Sequence, residues 1–355
     1  MRTLSRAELT VALAVRQMLA ARERLAPAEA VRRLTPLQGQ HPPAPHIALA
    51  ARLEGFARAD LERAIDAGAV VKTTIMRLTL HLAAEDDYPA YAQVARQPRL
   101  RTWRRTYPHL DEAQVTAELR EWFRTPRTNG QIRERVGRYE GVTDEPWTPV
   151  WFVRTLLPLV QLPPAGHWSD SRRARFTVDP RPLPEPADAA AIVLQRYLAA
   201  FGPASRRDVA AWAGVPQREF AAAWSRVPTV SYRDERGAEL LDLPGAPLPP
   251  ASTPLPPRLL AHWDQPLLAY ADRDRIMAPE VAALKLTLSG DPTVTVDGRV
   301  VASWAIARDG DAARLRITPH ADVRRAARAE LRAEAERTLR FCEPNARRLA
   351  VAIEG

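Results

Sequence analysis

Two stretches of the sequence begin in the same way and therefore predict the same local structure. They are "PRTNGQIRERVG" at residues 126–137 and "ASRRDVAAWAG" at residues 204–214. The matched positions are Thr128 with Ser205, Gln131 with Asp208, Ile132 with Val209, and Gly137 with Gly214. A Ser or Thr followed three residues later by Gln or Asp resembles a capping box, which begins a helix, and the glycine ends it. The chain thus contains a repeated short helix, which limits the folds it can adopt.

The residues after each repeated helix predict a helix-turn-helix followed by strands. After residue 214, "VPQREFAAAWSRV" predicts a second helix and "TVSYRDERGAELLDL" a hairpin. After residue 137, "DEPWTPVWFVRTLLPLVQL" predicts a helix almost to its end, and "HWSDSRRARFTVD" a basic wing. The first third follows a similar order, with helices in "SRAELTVALAVRQML", "APAEAVRRL" and "ARADLERAIDAG", then strands in "AVVKTTI" and "RLTLHLAA". This order is typical of winged helices and predicts three tandem units.

The last hundred residues have a different character. "TVTVDGRVVASWAI" places Asp297 and Gly298 between alternating apolar residues, a strong hairpin signal, and "ARLRIT" adds a strand. "ADVRRAARAELRAEAERTLRFCE" predicts an amphipathic helix packed on that sheet. We therefore predict an α+β protein. Its expected domains are a first winged helix at 1–98, a second at 99–182, a third at 183–250, and a β-rich domain with a long terminal helix at 251–355.

The composition favours a polyanionic partner. The chain of 355 residues has a formal net charge of +9 and an isoelectric point near 10.3, and its only lysines are Lys72 and Lys285. The arginine excess is typical of a GC-rich genome, but the net positive charge remains and makes nucleic acid the first candidate. The single cysteine, Cys342, excludes an intramolecular disulfide, and no apolar run approaches the ~20 residues that span a bilayer. We expect a cytoplasmic, nucleoid-associated protein with no membrane partner.

Basic residues cluster where winged helices contact phosphates. The candidates are Arg104 and Arg105 in "RLRTWRRTYPHL", and Arg172, Arg173 and Arg175 in the second wing. The alternative for each cluster is a solvated face. No clustered Cys or carboxylate accompanies the loop histidines, so we expect no metal site.

Two residues on predicted strands add to these candidates. Lys72 lies on a strand that can face DNA. His81 alternates with Leu80 and Leu82, so it can line a cleft, although a satisfied and partly buried histidine is the commoner case.

The segment "LTPLQGQHPPAPHIAL" places two glutamines one residue apart among prolines. A residue before proline favours extended backbone, and in an extended chain residues i and i+2 point to the same side. Gln38 and Gln40 are therefore expected to project together from an exposed loop, with Gly39 allowing close approach between them. A polar turn is the alternative.

The chain resembles the AlkZ/YcaQ-like winged-helix DNA glycosylases along nearly its whole length. The resemblance rests on "LTPLQGQ" followed by "PHIALAARLEGF", on "RLTLHLAAEDDYPAY", on "FGPASRRDVAAWAG", and on "HWDQPLLAYADRDRI" with "TVTVDGRVVASW". The resemblance implies tandem winged helices forming a concave DNA surface, plus a C-terminal β-rich domain. The family's catalytic signature, Gln-x-Gln or Gln-x-Asp, falls on Gln38 and Gln40. Its often apolar middle position is Gly39 here.

The resemblance also implies a reaction. The expected activity is a monofunctional DNA glycosylase that hydrolyses cationic N7- or N3-alkylated purines, including bulky adducts and interstrand crosslinks. A water positioned by the two glutamines would attack the sugar. The implied partner is double-stranded DNA carrying alkylated purines, with no cofactor and a monomeric enzyme.

A segment resembling a family hairpin, "YADRDRIMAP", offers Arg273 and Arg275 as DNA contacts, unless its Asp and Arg residues brace domains internally. The alternative functions are a winged-helix transcription regulator, which predicts a dimer, and a catalytically inactive DNA-binding relative.

Overall fold

The computed structural model describes residues 1–143, 145, 148–170 and 174–354, without the side chains of residues 287 and 288. The predicted DNA contacts Arg172 and Arg173 lie outside these residues. The mixed α+β architecture predicted from the sequence is confirmed. No helix of the described residues is long and apolar enough to cross a membrane.

In the first segment of the chain, four helices precede an antiparallel hairpin. Its elements are β1 (Thr3–Leu4), α1 (Arg6–Arg16), α2 (Pro27–Leu34), β2 (Leu37–Gln38), α3 (Ala44–Ala50), α4 (Arg58–Asp66), β3 (Val70–Thr74), β4 (Leu80–Ala84) and α5 (Tyr88–Thr106). Ser5 and Glu8 form a capping box that begins α1, and Pro27 occupies the first turn of α2, where its missing N–H costs nothing. The predicted boundary between residues 98 and 99 falls inside α5, which continues through Pro98.

The second and third segments follow the same plan. The second contains α6 (Glu112–Trp122), β5 (Arg127–Thr128), α7 (Asn129–Val136), α8 (Thr148–Leu156), β6 (Leu159–Gln161) and β7 (Arg175–Val178). The third contains α9 (Pro186–Phe201), α10 (Arg206–Ala213), α11 (Ala223–Arg226), β8 (Val230–Asp234) and β9 (Glu239–Asp242). The predicted capping boxes of Thr128 with Gln131 and Ser205 with Asp208 are both present.

One predicted helix of the third segment is broken. A 3₁₀ turn at Gln217–Phe220 precedes the four-residue α11. In a 3₁₀ turn residues i and i+3 share a face, and here Phe220 and Ala223 are both buried in one apolar core with α9.

The three segments share one order of elements. Each has a helix, a short extended stretch, further helical turns and an antiparallel strand pair. In each, the short stretch pairs with the last strand: β2 with β4, β5 with β7, and Ala204 with Leu241 of β9. The internal repeat seen in the sequence is therefore present in the backbone.

Strand pairing joins the segments to one another. β3 pairs with β6 and makes a six-stranded sheet in the order β2-β4-β3-β6-β7-β5. β1 at the beginning of the chain pairs in parallel with β8 of the third segment. The first three predicted domains therefore share two sheets.

The C-terminal part forms a five-stranded sheet covered by a long helix. Its elements are β10 (Arg258–Leu259), α12 (Gln265–Leu268), α13 (Pro279–Ala283), α14 (Leu286–Ser289), β11 (Thr293–Val296), β12 (Arg299–Asp309), β13 (Ala312–Pro319), α15 (Arg328–Cys342) and β14 (Arg348–Ile353), with strand order β10-β11-β12-β13-β14. Asp297 and Gly298 have φ of 51° and 74° and form the predicted tight turn. The predicted amphipathic helix packs on the sheet through Leu331 and Leu339. The parallel strand β14 was not predicted.

Two buried ion pairs connect distant parts of the chain. Arg52, after α3, and Asp264, before α12, form a two-pronged pair at 2.6 and 3.0 Å, and both side chains are completely buried. Arg16 of α1 forms a similar pair with Asp242 of β9, at 2.7 and 2.8 Å. Paired guanidinium and carboxylate groups satisfy each other's charge where no water reaches them.

Removal of one charge from the Arg52–Asp264 pair should destabilise the whole fold. Asp264→Asn leaves the Arg52 guanidinium buried without a counter-charge, which typically costs roughly 3–5 kcal/mol. Chemical denaturation measures this loss. The exposed pair of Arg24 and Glu54 supplies the control, because Glu54→Gln should leave the denaturation midpoint nearly unchanged. Equal effects of the two substitutions would show that the buried pair matters no more to stability than an exposed one.

Two buried histidines should make stability fall in mild acid. Burial lowers the pKa of His46 to about 4 and that of His81 to about 3. Between pH 6.5 and 5 the unfolded chain takes up protons that these folded side chains do not, so stability is retained above pH 6.5 and declines below it. Over this window each can contribute up to roughly 2 kcal/mol. In this window His46→Gln should reduce the slope of the unfolding free energy against pH by the equivalent of up to one proton. His109→Gln, which changes an exposed histidine, is the control and should not reduce it.

Candidate active site

A short strand holds the first glutamine of the Gln-x-Gln motif. Gln38 ends β2 and lies opposite His81 of β4, and the Gly39 N–H donates to the Leu80 carbonyl at 2.8 Å. The backbone leaves the sheet at Gln40. As a result Gln38 is buried and Gln40 exposed, so the exposed loop expected for both is wrong for Gln38.

Backbone N–H groups fix both amide side chains. The Gln38 Oε1 accepts a hydrogen bond from the Gln40 N–H at 2.9 Å, and the Gln40 Oε1 accepts one from the Leu80 N–H at 3.3 Å. An amide oxygen has two lone pairs, so each can accept one further bond. The motif therefore presents two oriented carbonyl oxygens, neither of which can act as a strong base.

A histidine pair lies directly after the motif. The rings of His41 and His262 are tilted against each other with centroids 4.3 Å apart. The Nδ1 of His262 donates to the Gly290 carbonyl at 2.7 Å, while the Nδ1 of His41 is buried without a partner among the described residues. Burial lowers the pKa of His41 to about 4, helped by His262, and burial also lowers the pKa of His262. Both rings are therefore neutral near pH 7.

Residues next to His262 in the sequence also contact the segment that carries the motif. The Gln265 Nε2 donates to the Pro36 carbonyl at 2.5 Å, and its Oε1 accepts from the buried Trp212 Nε1 at 3.3 Å. The adjacent Asp264 forms the buried pair with Arg52. The residues "HWDQP" carry no local signal for this contact, because the two segments lie more than 200 residues apart in the chain.

The predicted DNA contacts divide into exposed and buried side chains. Arg104, Arg105 and Arg175 are exposed, and Arg104 pairs with Glu112 at 2.6 Å. Lys72 is buried and its Nζ lies 3.1 Å from Asp170. His81 is completely buried, with its Nδ1 2.9 Å from the Thr79 carbonyl, so it does not line an open cleft.

The segment containing Arg273 and Arg275 is braced internally. Arg275 is buried, donates to the Pro203 carbonyl at 2.9 Å and stacks on Tyr270, with 3.9 Å from its Cζ to the ring centre. Asp272 and Asp274 both pair with Arg236 in the turn between β8 and β9. This arrangement corresponds to the internal Asp–Arg network considered as the alternative. Arg273 is partly buried.

Comparison with known families identifies the chain. The family model described as "DNA glycosylase AlkZ-like" matches residues 31–341. The chain belongs to the AlkZ-like DNA glycosylase family. The resemblance inferred from the sequence is thereby confirmed, and with it the expectation of an enzyme that acts on DNA. A search of curated protein sequences gave no match.

A solved structure supports the fold independently. The Streptomyces sahachiroi DNA glycosylase AlkZ superposes with a TM-score of 0.81 and 22% sequence identity, over 99% of this chain and 100% of that chain. At this identity the likeness establishes the architecture. The chain therefore has the fold of that glycosylase over the aligned residues.

Proposed function

We propose that this glycosylase hydrolyses the N-glycosidic bond of purines alkylated at N7 or N3, including bulky adducts and interstrand crosslinks. The observation that carries the proposal is the pair of amide oxygens of Gln38 and Gln40, each fixed by a backbone N–H. A water molecule that donates hydrogen bonds to the remaining lone pairs of both oxygens would be positioned to attack the sugar. It matters that the amides are fixed before the reaction, because dipoles that are already oriented stabilise the charge of the transition state without having to reorganise.

The chemistry of the site suits a substrate that is already cationic. An alkylated purine leaves as a neutral base and needs no acid to protonate it, and the transition state resembles an oxocarbenium ion. The negative ends of two amide dipoles stabilise that positive charge. Neutral His41 and His262 add no competing positive charge beside the motif near pH 7.

The repeated order of elements favours three tandem winged helices as the DNA-binding scaffold. Each segment places two helical elements before an antiparallel strand pair, as winged helices do. We propose that double-stranded DNA lies along a concave surface of these units and that the enzyme acts as a monomer. Exposed Arg104, Arg105 and Arg175 would contact phosphates, together with Arg172 and Arg173. The proposed reaction uses no cofactor or metal.

The two glutamines should carry the chemistry and not the affinity. Gln38→Ala or Gln40→Ala should slow excision by roughly 10²–10³, the range for loss of one positioned polar group from a catalytic site. Affinity for damaged duplex should change little, because phosphate contacts dominate binding. Single-turnover release of a 7-alkylguanine, with binding measured in parallel, tests this expectation.

Three variants make this experiment selective. Gln40→Asp should retain activity, as the Gln-x-Asp form of the family signature implies. The exposed Gln114→Ala should behave as wild type in excision and binding. Because Gln38 is buried, the melting temperature of Gln38→Ala must also be measured. Wild-type excision by the double mutant Gln38→Ala/Gln40→Ala would refute the assignment, and no base release by the wild type would indicate an inactive DNA-binding relative.

The reaction should form no covalent bond between enzyme and DNA. A lyase needs an amine that attacks the sugar, and the Lys72 amine is buried against Asp170. Borohydride should therefore trap no adduct during excision, whereas a bifunctional glycosylase treated in parallel should be trapped. A strong trapped band that disappears in Lys72→Ala would show that the enzyme uses a lysine.

A further inference from the structure

Three arginines surround a small cavity beside β3 and β6. Arg96 and Arg99 come from α5 and Arg154 from α8, and Thr74 at the end of β3 and Tyr88 at the start of α5 complete the polar lining. The cavity has a volume of about 10 Å³, room for a single water-sized group. It lies apart from Gln38 and Gln40, and no step of the proposed hydrolysis uses it.

The guanidinium groups at this cavity lack the partners that buried arginines normally have. Arg99 is buried, and its hydrogen bond is from Nε to the Ala95 carbonyl of its own helix, at 2.9 Å. Arg154 packs over the Phe176 ring, and its Nε is buried without a hydrogen-bond partner. Among the described residues no carboxylate lies within ion-pair distance of Arg99 or Arg154.

The remaining lining adds donors and little negative charge. The Thr74 hydroxyl is buried and has no partner in the described part of the chain. Arg96 donates to the Thr155 carbonyl at 2.8 Å, and its nearest carboxylate, that of Glu112, lies 3.8 Å away and also pairs with Arg104. The cavity is therefore lined by donors and cations whose charge the fold does not neutralise.

The electrostatics of Arg99 and Arg154 agree with this description. Burial lowers the pKa of Arg154 to about 10, and burial together with the nearby Arg154 cation lowers the pKa of Arg99 to about 10. A buried charge without a partner is unfavourable, and two that repel each other are more so. A bound anion would relieve both costs.

We propose that this cavity is a phosphate-binding site, in which one phosphate oxygen enters between Arg99, Arg154 and Thr74. Arginine is suited to this because its planar group offers several N–H donors to phosphate oxygens. The limited volume admits one oxygen, so the rest of the phosphate lies at the mouth beside Arg96. The phosphate belongs either to the DNA backbone or to a free phosphate ion.

The position of the cavity in the sheet favours the DNA backbone as the source. The Gly39 N–H bonds to Leu80, and Leu80 lies opposite Thr74. Adjacent strands are ~4.8 Å apart, so Thr74 lies roughly 10 Å across the sheet from the Gln-x-Gln motif. A phosphate held there would be within a few nucleotides of the sugar under attack. The assignment of the phosphate to the DNA backbone rests on the proposed function, whereas the phosphate site itself does not.

Thermal unfolding in a buffer free of phosphate and chloride tests the site directly. Addition of inorganic phosphate should raise the melting temperature of the wild type by a few degrees, because a ligand that binds only the folded state stabilises it. Arg154→Met and Thr74→Val should lose most of this rise. Arg340→Met removes an exposed arginine from α15 and should keep it. Without phosphate, Arg154→Met should be at least as stable as the wild type, because a repulsive charge is gone.

Binding of undamaged duplex DNA at several salt concentrations identifies the source of the phosphate. If the site holds a backbone phosphate, Arg154→Met should reduce the slope of log affinity against log salt by about one, and Thr74→Val should weaken binding at each concentration. A phosphate response with unchanged DNA binding would assign the site to the free ion. Phosphate and DNA responses identical to wild type in both variants would overturn the proposal. Neither measurement requires excision, so both remain interpretable even if the proposed hydrolysis fails.

Discussion

The buried ion pair between Arg52 and Asp264 fixes the position of the segment that carries the Gln-x-Gln motif. Arg52 follows the helix that begins just after the Gln-x-Gln motif, and Asp264 lies between His262 and Gln265, which contact His41 and Pro36. The motif is thus held against the C-terminal part of the chain at both ends. Since neither charged group reaches water, the two sides cannot separate without exposing or isolating a charge. The geometry of this small polar site therefore depends on the whole fold.

Local features of the fold could be predicted from the sequence, because they depend on neighbouring residues. The capping boxes at Thr128 and Ser205 and the Asp297–Gly298 turn need only a few residues each, and their chemistry specifies the backbone directly. Pairing between strands from different segments could not be predicted. The contact between β3 and β6 and the parallel addition of β14 depend on edges that meet only after the helices have packed.

The candidate site shows the same division. The positions of Gln38 and Gln40 follow from a short motif and its resemblance to a family, but the motif does not reveal that one side chain is buried. The partner of His41 comes from a segment more than 200 residues away, and single residues carry no signal for such a pairing. The burial of Lys72 against Asp170 was missed, because a basic residue on a strand is usually exposed. For Arg275 the sequence left a DNA contact and an internal brace open, and the stacking on Tyr270 could not be read from the segment alone.

The pairing of β1 with β8 has a consequence for how the chain is made. Thr3 lies opposite Arg233, so β1 leaves the ribosome some 230 residues before its partner. At typical translation rates of ~5–20 residues per second, that strand waits on the order of tens of seconds before its edge is covered. Only two residues long, β1 presents a small unpaired edge during this interval. The brevity of this strand thus limits the risk that nascent chains associate with one another before the third segment is complete.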